Sequence, residues 1–216
     1  VLLLAFDTAT PAVTVALHDG RSVLATSTIV DAMRHGELLA PGIATVLREA
    51  GADRSDLTGI AVGVGPGPFT GLRVGLVTAR TLGHVLDIPV HGVCTLDVLA
   101  AAAEVDEGQV GSFLVATDAR RKEVYWARYS DRRTRVDGPH VSRPAEVATP
   151  DVVVGRGATL YPDAFPNAAG PLDPSAADLA RLVATGSVPV LEPVPLYLRR
   201  PDVAEPTARK SVLTAR

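Results

Sequence analysis

The chain has 216 residues, 47% apolar and 21% charged, and its 21 Lys and Arg against 24 Asp and Glu leave a formal net charge of −3. That balance gives no general attraction to nucleic acid, and the length suffices for one large or two small lobes with an ample core. Cys94, the single cysteine, excludes an internal disulfide framework and fits a reducing cytoplasm, and no apolar run has the length of a membrane span or the pattern of a signal peptide.

Leu2-Leu-Leu-Ala-Phe6 reads as a buried strand. After Asp7-Thr-Ala-Thr-Pro11, Val13, Val15 and Leu17 alternate with Ala12, Thr14 and Ala16 up to a turn at Asp19-Gly20, which completes a strand–loop–strand hairpin. Residues 37–50 then place Leu39, Ile43, Val46, Leu47 and Ala50 on one helical face, with Gly51 as a stop signal. Pro41 and Gly42 are expected to kink that helix or delay its regular part.

Residues 57–64 form a strand that enters Gly65-Pro-Gly-Pro68 and then a helix, which the Thr70 hydroxyl is expected to cap. Two prolines fix φ in this loop and two glycines permit conformations closed to other residues, so its shape matters. A glycine-rich loop before a helix suggests a phosphate cradle. The detail argues against one: no lysine completes a Walker loop, the Gly-x-Gly-x-x-Gly fingerprint fails from every glycine, and the prolines remove two N–H donors. Arg73 is the only cation at hand.

Along the helix itself, Gly71, Gly75, Ala79 and Gly83 recur every fourth residue, a ridge almost without side chains. Each glycine costs about 1 kcal/mol relative to alanine inside a helix, which calls for the close approach of another backbone. Spacing leaves open whether that backbone belongs to this chain's sheet or to another chain. On the second reading, a large residue at Gly75 or Ala79 abolishes partner binding and leaves the fold largely intact. Asp87-Ile-Pro89 ends the helix.

Residues 101–111 mark a boundary, after which the opening pattern returns. Phe113-Leu-Val-Ala-Thr117 is followed by Asp118-Ala-Arg-Arg-Lys-Glu123 and then Val124-Tyr-Trp-Ala-Arg-Tyr129. Aligning Asp7 with Asp118 sets Val13 on Val124 and Val15 on Trp126, so the chain reads as two copies of one topology. Beyond this, residues 151–158 are a buried strand ending in a glycine-containing turn, and residues 174–183 a capped amphipathic helix of the core. The five histidines, His18, His35, His84, His91 and His140, include no pair three or four apart, so no helical metal motif exists. Cys94 and Asp97 read as a small core residue and a helix cap.

Asp7-Thr-Ala-Thr, His35-Gly-Glu-Leu-Leu-Ala-Pro41, Gly65-Pro-Gly-Pro-Phe-Thr-Gly-Leu-Arg73, Asp118-Ala-Arg120, Glu123-Val-Tyr125 and Tyr197-Leu-Arg199 resemble the bacterial TsaB family, also called YeaZ. They occur in that family's order and cover almost the whole chain. The resemblance implies an α/β fold of two lobes in the duplicated ribonuclease-H-like architecture of actin, sugar kinases and Hsp70. It implies a lobe at 1–105 with partner-binding helices, a second at 106–198 and a polar tail at 199–216. It further implies a cytoplasmic, non-catalytic accessory subunit for adding threonylcarbamoyl to the adenosine beside the tRNA anticodon. The partners are a TsaD-type transferase and a TsaE-type ATPase, with a homodimer when alone. In the family the first two helices form the shared interface, which points to Leu39, Ile43, Gly71, Leu72, Gly75, Leu76, Ala79 and Gly83.

In this architecture Asp-x-Gly loops wrap nucleotide phosphates. Here Ala9 and Arg120 stand where the two glycines belong, so Asp7, Thr8, Thr10, Asp118 and Arg120 form a degenerate cleft with no cofactor and no metal. Arg120, Arg121 and Lys122 either fill the phosphate site or bind an anion in another geometry. The alternative is a nucleotide-dependent kinase or ATPase in which Asp7 and Asp118 hold magnesium; against it, both carboxylates can simply cap their own turns. tRNA is expected to be reached through the partner. The direct alternative is phosphate contact by Arg120, Arg121, Lys122, Arg128, Arg132, Arg133 and Arg135, or by Arg199, Arg200, Arg209, Lys210 and Arg216.

Overall fold

A computed structural model describes residues 1–106 and 111–199. The tail cations from Arg200 onward lie outside the described residues.

The opening pattern folds as β1 (Leu3–Asp7), β2 (Ala12–His18) and β3 (Val23–Val30), an antiparallel meander, with β4 (Gly59–Gly63) and β5 (Val90–Val93) added in parallel to give the order β3-β2-β1-β4-β5. The second half repeats this order with β6 (Phe113–Asp118), β7 (Val124–Tyr129), β8 (Arg135–Ser142), β9 (Val152–Val154) and β10 (Asn167–Ala169), as β8-β7-β6-β9-β10. This is the duplicated ribonuclease-H-like architecture. The repeat holds strand for strand, but its register differs by one residue from the sequence alignment. Asp7 pairs with Thr14 whereas Asp118 pairs with Val124, so Thr14 corresponds to Val124 and Ala16 to Trp126. The second hairpin loop is one residue shorter, and composition alone does not reveal that.

Strands β1, β2 and β4 are buried along their whole length because helices cover both faces of the first sheet. Leu4 and Phe6 point towards α1 (His35–Glu49) and α2 (Phe69–Leu86). Leu3 and Ala5, one residue out of phase, point towards α5 (Ala176–Ala184). Thus the helix at 174–183 is core as read, with Ser175 Oγ accepting the Asp178 N–H, but its core is that of the first sheet. Conversely α3 (Thr95–Ala101) packs Leu96, Leu99 and Ala100 with Phe113, Val115 and Tyr129 of the second sheet. The two sheets exchange helices, so no single cut in the sequence separates each sheet from all its cover.

Two helix starts differ from expectation. Helix α1 begins at His35 and runs through Pro41, while Gly42 lets it settle onto β2, where an added Cβ would stand 3.1 Å from Val15 Cγ2. Helix α2 starts at Phe69 behind Pro68 with no side-chain cap, because Thr70 faces solvent. Asp87 closes α2 in the left-handed conformation, with the Ile88 N–H bonded to Gly83 O.

Candidate functional site

Asp7 ends β1 wholly buried and fully occupied. Its Oδ1 accepts the Ala9 N–H at 2.7 Å and its Oδ2 the Thr95 hydroxyl at 2.7 Å. Thr95 Oγ1 also accepts the Gly65 N–H at 3.2 Å, and Gly67 lies so close to the Ala9 carbonyl that no Cβ fits between them. The stiff Gly65–Pro68 loop is therefore shaped to lock against the first hairpin. Asp118 repeats the turn of its counterpart, with Oδ1 accepting the Arg120 N–H at 2.7 Å, and it pairs with the Arg120 guanidinium at 3.4 Å.

Burial is the largest influence on Asp7 and pushes its carboxyl up to about 6; Asp173 adds to the rise, while the Ala9 N–H, the Thr95 hydroxyl and His35 oppose it. The folded chain thus keeps this proton longer than the unfolded one, and stability present below pH 3.8 is lost as pH rises to about 6. The loss amounts to about 3 kcal/mol. Asp7→Asn is expected to be free of it, so denaturant unfolding should show the variant gaining about 3 kcal/mol on wild type between about pH 3 and pH 7. A pH-independent difference would refute this.

Where the two hairpin loops face each other, the space bounded by Thr10, Asp118 and Arg156 is too narrow for a water molecule. Arg156 fills it on one side and holds Asp173 in a bidentate pair at 2.6 and 2.7 Å. The glycine-containing turn after β9 is likewise taken up by the chain itself, since a Cβ on Gly155 would meet Ala116 O at 2.5 Å. Both Asp7 oxygens already accept hydrogen bonds and the gap beside Asp118 is closed, while the wider space of about 270 Å³ nearby is lined by Thr8, Thr10 and Arg120 and by neither aspartate. Among the described residues there is no cluster of three or more metal-ligating side chains.

The small-residue ridge points inward, and Thr8 shows why. Its hydroxyl donates to Gly71 O at 2.8 Å and accepts the Gly75 N–H at 3.1 Å, joining the two groups that a helix ordinarily bonds to each other. Gly71 also abuts His35, whose Nε2 donates to Thr10 O at 2.7 Å. Gly83 packs on Val90 and the Ile88 carbonyl. Of the eight residues the sequence marks for an interface, Leu39, Gly71, Leu72, Gly75, Leu76, Ala79 and Gly83 are buried in this chain and Ile43 is partly so. Of the two directions that spacing left open, Gly71 and Gly75 take the inward one against the chain's own first hairpin, and Gly83 takes it against the entry to β5.

Comparison with known proteins now bears on the fold. The family model of TsaD, tRNA N6-adenosine threonylcarbamoyltransferase, matches residues 23–159. An uncharacterized protein of Mycobacterium tuberculosis (strain H37Rv) is 44% identical over 210 residues, 95% of each chain. The structure of YeaZ from Pseudomonas aeruginosa is similar at 32% identity and a TM-score of 0.74, covering 91% of this chain and 99% of that one. The chain belongs to the TsaB/YeaZ family. The tRNA threonylcarbamoyladenosine biosynthesis protein TsaB of Escherichia coli (strain K12) is 38% identical over 127 residues, and the match spans 59% of this chain and 54% of that protein.

In this TsaB/YeaZ chain the outer side of α2 is the surface that spacing missed. Arg73, Val77, Thr81 and Val85 also step by four, and they begin two residues after Gly71, roughly 200° around the helix. All four are exposed, Val77 at 63% and Val85 at 71%. Ala40 and Ala44 of α1 are exposed as well. In the sequence this surface shows only as the apolar i, i+8 pair Val77 and Val85, and periodicity does not separate an exposed pair from the apolar surround of the glycine ridge.

The remaining sequence-marked groups are structural. Cys94 is buried, its thiol pushed up to about 12 by burial. Asp97, expected as a cap, instead accepts the Tyr129 hydroxyl at 2.7 Å and pairs with Arg135 at 3.6 Å, tying α3 to the second sheet. Arg128 pairs with Asp151 at 2.7 Å, and Arg132 donates to Val105 O at 2.6 Å. The basic cluster of the second hairpin is thereby divided: Arg128 and Arg132 are tied to the chain, while Arg120 and Arg121 line a cavity beside the closed gap together with Arg199.

Proposed function

We propose that the chain is a non-catalytic scaffold subunit in tRNA threonylcarbamoyladenosine biosynthesis. It docks a TsaD-type transferase through the outer faces of α1 and α2 and arranges that partner's cleft for tRNA. The observation that carries the reading is the exposed apolar ridge of Val77 and Val85 on a helix whose other side is locked to the core. Exposed valines on a rigid helix suit a helix–helix interface, because they bury apolar area with little loss of side-chain freedom. The pathway rests on the names of the relatives above. The occupied Asp7 and the closed gap beside Asp118 support an accessory role over phosphoryl transfer.

Size-exclusion chromatography with light scattering tests this reading, on the chain alone and mixed with the TsaD-type transferase of the same organism. A homodimer that gives way to a mixed complex is expected. No mixed complex, with or without ATP and a TsaE-type ATPase, would overturn docking as the function.

A further inference from the structure

A cavity of about 420 Å³ opens beside the closed gap, between the start of α2, the turn after β6 and the segment Tyr197–Arg199. Its walls combine Phe69, Tyr125 and Tyr197 with Arg120 and Arg121. The rings are held in place: Phe69 and Tyr197 stack at 4.8 Å, Arg73 lies 3.5 Å over Phe69, and Arg73 Nε donates to the Tyr197 hydroxyl at 2.8 Å. Arg199 is committed elsewhere, paired with Glu123 and donating to Ala119 O at 3.3 Å. Tyr125, 6% exposed, completes the same wall.

The turn that delivers the cations is costly. Arg120, Arg121 and Lys122 take φ values of 61°, 54° and 62°, a run of left-handed residues that are not glycine. Strain of this kind persists where surrounding structure enforces it, and here it sets two guanidinium-bearing residues on the wall of the cavity. The Arg120 pair with Asp118 is long and its side chain 53% exposed, so an incoming anion can share it.

We propose that this cavity binds a nucleotide unit, with an aromatic base against the Phe69–Tyr197–Tyr125 wall and its phosphate on Arg120 and Arg121. Rings with adjacent arginines match that chemistry, since a base of any identity stacks on an aromatic face and a phosphate takes charge-assisted hydrogen bonds from guanidinium. The site is separate from the gap between the Asp7 and Asp118 loops, and it stands whether or not α2 docks a transferase. The unit comes either from a free nucleotide or from a single strand of RNA.

The test is fluorescence anisotropy on the full chain with a labelled single-stranded adenylate hexanucleotide, competed in separate arms by AMP and by inorganic phosphate. Competition by AMP assigns the site to a free nucleotide unit; binding of the hexanucleotide without competition by AMP assigns it to an RNA strand. Arg120→Gly should weaken binding about 10-fold or more. Glycine relieves the left-handed strain, so loss of fold does not account for such a result. Tyr197→Ala should weaken it about 5-fold or more through lost stacking. Absence of binding to both probes, competition by phosphate as strong as by AMP, or an Arg120→Gly variant that gains ATP hydrolysis would each overturn the proposal.

Discussion

Gly71→Ala is expected to destabilise the isolated chain, although alanine is the better helix former by about 1 kcal/mol. The added Cβ would stand 2.5 Å from the Thr8 carbonyl oxygen and 3.2 Å from His35 Nε2. Neither neighbour can yield cheaply, because the first is backbone and the second is bonded to Thr10 O. Overpacking of this kind costs about 1–3 kcal/mol, so the melting temperature should fall by several degrees where propensity alone would raise it. Gly75→Leu is the larger case. Even its Cβ meets Thr8 Oγ1 at 2.5 Å, and that hydroxyl is already bonded to Gly71 O and the Gly75 N–H. A loss of about 4 kcal/mol or more is expected, a large part of what a domain of this size possesses. Circular dichroism melts of the chain alone decide it. A ridge that serves a partner predicts the reverse, with melts unchanged and only the complex lost.

The duplicated topology was readable because each half opens with the same strand–Asp–strand phrase, and the apolar alternation of β1 and β2 survives in β6 and β7. The closed gap was half readable: Ala9 and Arg120 stand where the phosphate loops of this architecture carry glycine, but spacing does not say that Arg156, held by Asp173, lines the space. The direction of the α2 ridge was not readable. A glycine every fourth residue states that something comes close, and only Thr8, sixty-three positions earlier than Gly71, states what. The exchange of α3 and α5 between sheets was hidden for a similar reason, since an amphipathic helix records that it has a buried face without recording which sheet buries it.

The inward ridge makes the outward one the sharper test. Val77→Asp together with Val85→Asp should leave the fold of the monomer, compared at a concentration where wild type is also monomeric, within about 0.5 kcal/mol of wild type, because in the single chain both side chains are exposed and belong to no core cluster. In a complex with the TsaD-type transferase, the same carboxylates would be desolvated without a partner. Truncating or mischarging a central interface residue costs about 2 kcal/mol or more, and two such residues together predict a loss of about 1,000-fold in affinity where they add. Val136→Asp supplies the control, since Val136 is 56% exposed on β8, the edge strand of the other sheet. Titrating each variant against the transferase by light scattering separates the outcomes. If the complex survives the α2 pair and fails with Val136→Asp, the docking surface lies on the second lobe, and α1 and α2 are exposed for some other purpose.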